Sequence, residues 1–132
     1  MAAAGYAGTR QLAKLGIRPG VRWDVVGADH GWRFEEEPAA GDRSAAAADV
    51  VLAFARDLPE VAAVVSANER RIFPAGALWV AWPRKAAGHA SEVTQNAIRD
   101  AALPLGLVDV KVAAVDHDWS GLKLVWRKER RR

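Results

Sequence analysis

The sequence predicts a three-layer α/β domain: helices on both faces of a sheet of about five strands, mostly parallel and closed by a C-terminal antiparallel hairpin. Three observations carry this. Residues 49–55 (DVVLAFA) form an unbroken apolar run, as a strand covered on both faces requires. Stretches of strand character alternate with stretches of helical spacing, the order of parallel strands joined by crossover helices. Residues 107–115 and 121–127 are consecutive strand patterns joined only by a short polar stretch, which reads as a hairpin.

The elements follow in order. Residues 1–7 read as a flexible lead, residues 8–127 as the single domain, and residues 128–132 as a basic tail. Thr9 is placed to cap a short helix in which Leu12 and Leu15 share a face and Gly16 supplies the stop. After the turn signal of Arg18, Pro19 and Gly20, residues 21–27 (VRWDVVG) have the β-branched character of a first strand. Residues 28–48 lack periodicity, gather acids at Glu35, Glu36 and Glu37, and leave room for at most one short helix. The second strand is the 49–55 run. Asp57 opens a helix, with Pro59 in its first turn and Glu60 three residues on; Leu58, Val61, Ala62, Val65 and Ile72 line one face. Pro74, Ala75 and Gly76 turn the chain into a third strand, residues 77–82 (ALWVAW). Ser91 and Glu92 mark the next helix start, Val93, Ala97, Ala101 and Leu105 follow at steps of four, and Pro104 with Gly106 ends it.

Composition narrows the function classes. The 132 residues include six tryptophans and are 51% hydrophobic, enough apolar surface to offset the entropy of folding. There is no cysteine, which removes disulfides, thiolate metal sites and cysteine nucleophiles together. Apolar runs fall far short of the ~20 residues a membrane span needs, and the alanine-rich start has no basic segment leading into an apolar core. We therefore expect a cytoplasmic protein. The net charge is +3, but Arg127, Lys128, Arg130, Arg131 and Arg132 against Glu129 contribute +4 of it, leaving about −1 for the rest. Basicity confined to a tail supports non-specific phosphate contact at most, not sequence-specific nucleic-acid binding.

The segments GYAGTRQLAKLGIRPG, GALWVAWPRK and GLVDVKVAAVDHDWSGLKLV resemble a family of small uncharacterised bacterial proteins catalogued as a domain of unknown function. The element order, with PAGALWVAWP as a turn and strand before a terminal hairpin, is similar to the later half of class I S-adenosylmethionine-dependent methyltransferases. The resemblance implies a Rossmann-like fold lacking two strands of the full methyltransferase sheet, and implies no assigned activity. In those enzymes a glycine-rich turn follows the first strand. Aligning Gly27 with its first glycine puts Asp29 at the second and Gly31 at the third, so a charged side chain stands where close approach is wanted. Val25 occupies the place of the usual preceding acid, and Asp24 alternates to the other face. The strand that would carry a ribose-binding acid has no room, so we expect no cofactor, with S-adenosylmethionine disfavoured.

Ligands of open α/β sheets bind beyond the carboxyl ends of the strands. The loops there hold Asp29 and His30; Arg56 and Asp57; Arg84, Lys85 and His89; and Asp116, His117 and Asp118, so all three histidines fall on one edge. No metal-ligand spacing such as HxH or HExxH accompanies them, and no metal is expected. His117, between two aspartates, is the best acid/base candidate. Trp82 beside Arg84 and Lys85 suits a phosphate or carboxylate. Trp23, Trp79 and Trp126 alternate within strands and read as core, whereas Trp32 and Trp119 lie in loops and are candidates for a ligand or partner surface. The leading expectation is a non-catalytic module that uses Gly27, Asp29, His30, Gly31, Arg84, Lys85, Asp116 and Trp119 for a small anionic ligand or a protein partner. The alternatives are a minimal methyltransferase, a metal-assisted hydrolase, and a homodimer formed through an uncovered edge at strand one.

Overall fold

Side chains alternate along each strand, so a sheet buried on both faces must find cover for two sets of apolar residues. The computed structural model describes residues 10–131. Five strands, β1 (Trp23–Val26), β2 (Val50–Phe54), β3 (Ala77–Pro83), β4 (Leu107–Ala114) and β5 (Trp119–Trp126), form one sheet in the order β1-β2-β3-β5-β4. On one face Val51, Ala53, Leu78, Val80, Leu122 and Leu124 meet the helices α2 (Leu58–Asn68) and α3 (Gln95–Ala102) through Val61, Val65, Ile98 and Ala102. On the other, Leu52, Phe54, Trp79 and Ala81 are covered by helix α1 (Gln11–Leu15) and the loop after β1, through Leu15, Trp32 and Phe34.

The sheet is mixed rather than mostly parallel. β1–β2 and β2–β3 pair in parallel, but the longer ladders, β3–β5 and β4–β5, are antiparallel. The cause is the placement of β5, which inserts between β3 and β4 instead of forming the outer edge, and so brings antiparallel pairing to both of its sides. Gly121 makes this central docking fit: a Cβ there would come within 2.8 Å of Val115 and 3.1 Å of the Trp79 ring. Trp79 is wholly buried, and its indole nitrogen donates to the Leu15 carbonyl, tying β3 to α1.

Local chemistry sets the helix ends. Asp57 caps α2 by accepting from the Glu60 amide, as expected, but the helix ends at Asn68, so Ile72 is buried from the turn that follows. Leu58 lies off the buried stripe and is 42% exposed. α3 starts later than expected: Thr94, not Ser91, accepts from the Ala97 amide, while Ser91 closes a turn by accepting from Val93. Leu103–Leu105, with Pro104, make a 3-10 turn that Gly106 ends at φ 96°. Arg10 precedes α1 without a side-chain cap; Thr9 and the stretch 1–7 lie outside the described residues, as does Arg132. Gln11, 2% exposed, is a strut: its Nε2 donates to the Val115 carbonyl and its Oε1 accepts from the Glu35 amide. Among the described residues no helix is long and apolar enough to cross a membrane.

The edge at β1 is covered, contrary to expectation. Ser44 donates its amide to the Trp23 carbonyl, and Arg43 reaches the Val25 carbonyl and the Asp24 carboxylate, so the connection to β2 lies along the strand. Asp24, 7% exposed, also accepts from Arg71 and from the Val25 amide. The open edge is instead on β4, where a bulge between Asp109 and Lys111 and the lysine itself work against edge-to-edge pairing.

Candidate functional site

The turn leaving β1 depends on two glycines with positive φ, Gly27 at 74° and Gly31 at 88°. A Cβ on Gly27 would sit 3.0 Å from the Phe54 carbonyl oxygen, so its bare backbone serves contact with β2, while Gly31 faces open space. Between them Asp29 meets Arg56, which leaves the end of β2. The guanidinium donates through Nε and Nη2 to the Asp29 carboxylate and through Nη2 to the Gly27 carbonyl at 2.7 Å. It also lies 3.5 Å from Glu60 and 5.6 Å from the centroid of the Trp119 ring. Burial works against the charge on Arg56, but Asp29 and Glu60 outweigh it and raise its pKa above the ordinary value.

These residues do not fit S-adenosylmethionine. Two acceptors of the turn, the Gly27 carbonyl and Asp29 Oδ1, are engaged by the chain's own guanidinium. Val25 stands in the acid position, and among the described residues 28–48 hold no strand, only a 3-10 turn at Ala40–Asp42.

Beside the turn, a groove of about 660 Å³ runs along β1 to Trp23. Trp23, Trp32 and Phe34 supply aromatic walls, Arg33 and Arg43 supply cations, His30 adds an imidazole, and Glu37 is the one carboxylate among the described residues that line it. The rings brace one another edge to face: Trp32 lies 5.0 Å from both Phe34 and Phe54, and Trp23 lies 5.5 Å from Phe34. The Trp32 indole is fixed by donating to Asp116 at 3.0 Å. Arg43 is held over the Trp23 ring at 5.4 Å by its bond to Asp24, whereas His30 and Arg33 have no hydrogen bond or ion pair among the described residues.

The expected site residues therefore separate. Gly27, His30 and Gly31 line the groove; Asp29 is spent on Arg56. Arg84 lies on the hairpin side, donating to the His117 carbonyl, and Lys85 stands exposed beside it. Asp116 is a turn cap: Oδ1 accepts from the amides of Asp118 and Trp119 and Oδ2 from Trp32, so it is not a free ligand group. Trp119 is core, 8% exposed and edge-on to Phe54, because it opens β5 rather than standing in the loop. His117 is not oriented by its neighbours. Asp118 instead pairs with His89, Nε2 to Oδ1 at 2.9 Å, and that bond lowers the Asp118 pKa. Among the described residues no three histidine or carboxylate groups converge on a metal position. Sequence reasoning did not single out Arg33, Phe34 and Arg43 and could not place Glu37, although Trp32-Arg33-Phe34, a cation between two rings, is a readable local signal.

The profile of a family described as protein of unknown function (DUF3052) matches residues 34–128. The chain belongs to this DUF3052 family. No curated protein sequence matches it significantly. Among solved structures the DUF3052 chain is similar to the tRNA methyltransferase TrmK of B. subtilis, with a TM-score of 0.52 at 10% identity over 89% of this chain and 65% of that one. A second likeness, to a proposed methyltransferase of Thermoplasma acidophilum, has a TM-score of 0.48 at 9% identity over 85% and 70%. The first likeness shows a methyltransferase-like α/β fold, and the chain spans less than two thirds of that enzyme's length.

Proposed function

We propose that this domain is a non-catalytic module that binds a small flat anion, of the nucleotide class, in the groove along β1. The observation that carries the reading is the lining: braced rings at Trp32 and Phe34, an unpartnered guanidinium at Arg33 beside the imidazole of His30, and a carboxylate at Glu37. A ring can lie against the aromatic walls, an anionic group can meet the cations, and Glu37 can accept from a hydroxyl or exocyclic amine. The seating of Arg56 on the Gly27 turn supports a fold that has given up the methyltransferase cofactor while keeping its scaffold.

The test is calorimetric titration of the full chain with AMP, with its halves adenosine and inorganic phosphate, and with S-adenosylmethionine. AMP should bind saturably and more tightly than either half, and Arg33→Ala should weaken it about tenfold, the loss of roughly one charge-assisted hydrogen bond. Absence of saturable binding by any of the four, or tight S-adenosylmethionine binding with methyl transfer to an added acceptor, would sink the reading.

A further inference from the structure

A second charged surface lies at the opposite, amino edge of the sheet, where β5 ends. The basic residues there are built into the fold. Lys128–Arg130 form a 3-10 turn, the Arg127 amide donates to the Gly106 carbonyl at 3.0 Å, and Arg131 Nε donates to the Trp126 carbonyl at 2.8 Å. Arg130 packs against Gly106, where a Cβ would lie 3.3 Å from its Nη1. Trp126 is the hub. Its indole donates to the Glu69 carbonyl at the end of α2, the Arg70 guanidinium lies 6.0 Å over its ring, and Phe73 meets it edge-on at 5.3 Å while remaining 36% exposed. Arg70, Lys128, Arg130 and Arg131 have no carboxylate partner among the described residues. The neighbouring acids are Glu129, exposed in the turn, and Glu69, whose Oε2 is buried.

We propose that this ridge binds the backbone of a single-stranded nucleic acid without regard to sequence. Three of its four uncompensated cations are arginines, whose forked donors match phosphate, and Phe73 offers a ring on which a base can stack. The rest of the chain is close to neutral, so the positive charge is concentrated here. An anionic membrane would ask for several apolar side chains standing out among the cations, whereas here only Phe73 and, on the turn before Gly106, Leu103 are exposed large apolar side chains among the described residues. The proposal is independent of the groove along β1.

The experiment is fluorescence anisotropy of a labelled mixed-sequence 20-nucleotide RNA titrated with the full chain at several salt concentrations. At about 150 mM salt binding should fall within the non-specific range, with Kd between roughly 1 and 100 µM, and log Kobs should fall with log salt at a slope of about −2 to −3 for three or four phosphates. The double variant Arg130→Ala with Arg131→Ala should weaken binding more than tenfold and make the slope shallower by about 1.4. Phe73→Ala should weaken binding with the slope unchanged, and Lys85→Ala, on the far edge, should change neither. Circular dichroism of each variant checks that the fold is kept. No anisotropy change at low salt, a slope indifferent to the double variant, or tighter capture by phosphatidylserine vesicles or polyglutamate than by RNA would each overturn the proposal.

Discussion

Asp24 is the buried charge on which the cover of β1 depends, and replacing it with alanine should cost about 2–4 kcal/mol. Its carboxylate accepts from the Val25 amide at 2.9 Å, from Arg43 Nε at 3.1 Å and from Arg71 Nη2 at 2.8 Å. Arg43 is 56% exposed, and its share of the pair is worth only ~0–1 kcal/mol. Arg71 is 17% exposed, and removing one partner of a buried ion pair costs about 3–5 kcal/mol because the other charge is stranded. Arg71 keeps the Ala46 and Ser44 carbonyls and the Asn68 side chain as acceptors, which brings the total toward the lower part of that range. Urea unfolding followed by tryptophan fluorescence is the assay: with a slope of about 2 kcal/mol per molar, the midpoint should drop by roughly 1–2 M, and Asp24→Asn by about half as much. The reasoning also fixes a pH dependence. Burial alone raises the Asp24 pKa, but the bonds from Arg71, Arg43 and the Val25 amide outweigh it and leave the group below its ordinary value. Its stabilisation is therefore complete above the unfolded carboxylate pKa of about 3.9 and is lost as pH falls through the lower folded value. The gap between parent and Asp24→Ala should close only in that acid range. A midpoint shift under about 0.3 M at neutral pH, or a gap already closed at about pH 5, would refute the assignment.

Gly76→Ala should cost about 3 kcal/mol or more, a loss of roughly 10 °C in the thermal midpoint, since its Cβ would stand 2.9 Å from the carbonyl oxygens of Ala48, Asp49 and Ile72; a melt within 3 °C of the parent would contradict this. Leu58→Glu should stay within about 0.5 kcal/mol in denaturant titrations, while Val65→Ala, at 0% exposure on the same helix, should cost about 2 kcal/mol, and equal effects would misplace the α2 stripe. Arg56→Ala frees the Gly27 carbonyl and the Asp29 carboxylate, so calorimetry should detect S-adenosylmethionine at least about tenfold tighter than for the parent through its ammonium group; unchanged affinity would mean that packing against Phe54, not the guanidinium, closes the turn.

Periodicity made the class of the fold legible. The run at residues 49–55 suggested a strand covered twice, and β2 lies within it; the Asp57 cap and the Gly106 stop are local chemistry that sequence displays directly. What is not local stayed hidden. Thr94 and Ser91 are both competent caps, and only the tertiary position of α3 decides between them. The hairpin was visible, but which of its strands meets β3 depends on the fit of Gly121 over Trp79, a contact between distant segments. The site suffered most. Trp119 looked like a loop residue because strand ends blur by a few positions, and Asp116 looked free because its three donors include an indole 84 residues away. Arg56 was placed on the correct edge, yet nothing near it in the chain announces that it will sit on Gly27, and Asp29, expected to face a ligand, is that arginine's counter-charge.

The central position of β5 bears on how such a chain matures. Its partners in the sheet, β3 and β4, are both synthesised before it, and β3 finds it across 35 intervening residues, 84–118. During synthesis, therefore, β3 presents a bare hydrogen-bonding flank and β4 has nothing to lie against until Trp119–Trp126 leaves the ribosome. The parallel half can assemble early, but the layer closes only when that segment pairs with β3 on one side and β4 on the other. Interruption of the chain anywhere before residue 126 leaves an unfinished, adhesive sheet instead of a smaller working domain, so quality control acting on late truncations has an unpaired strand to recognise.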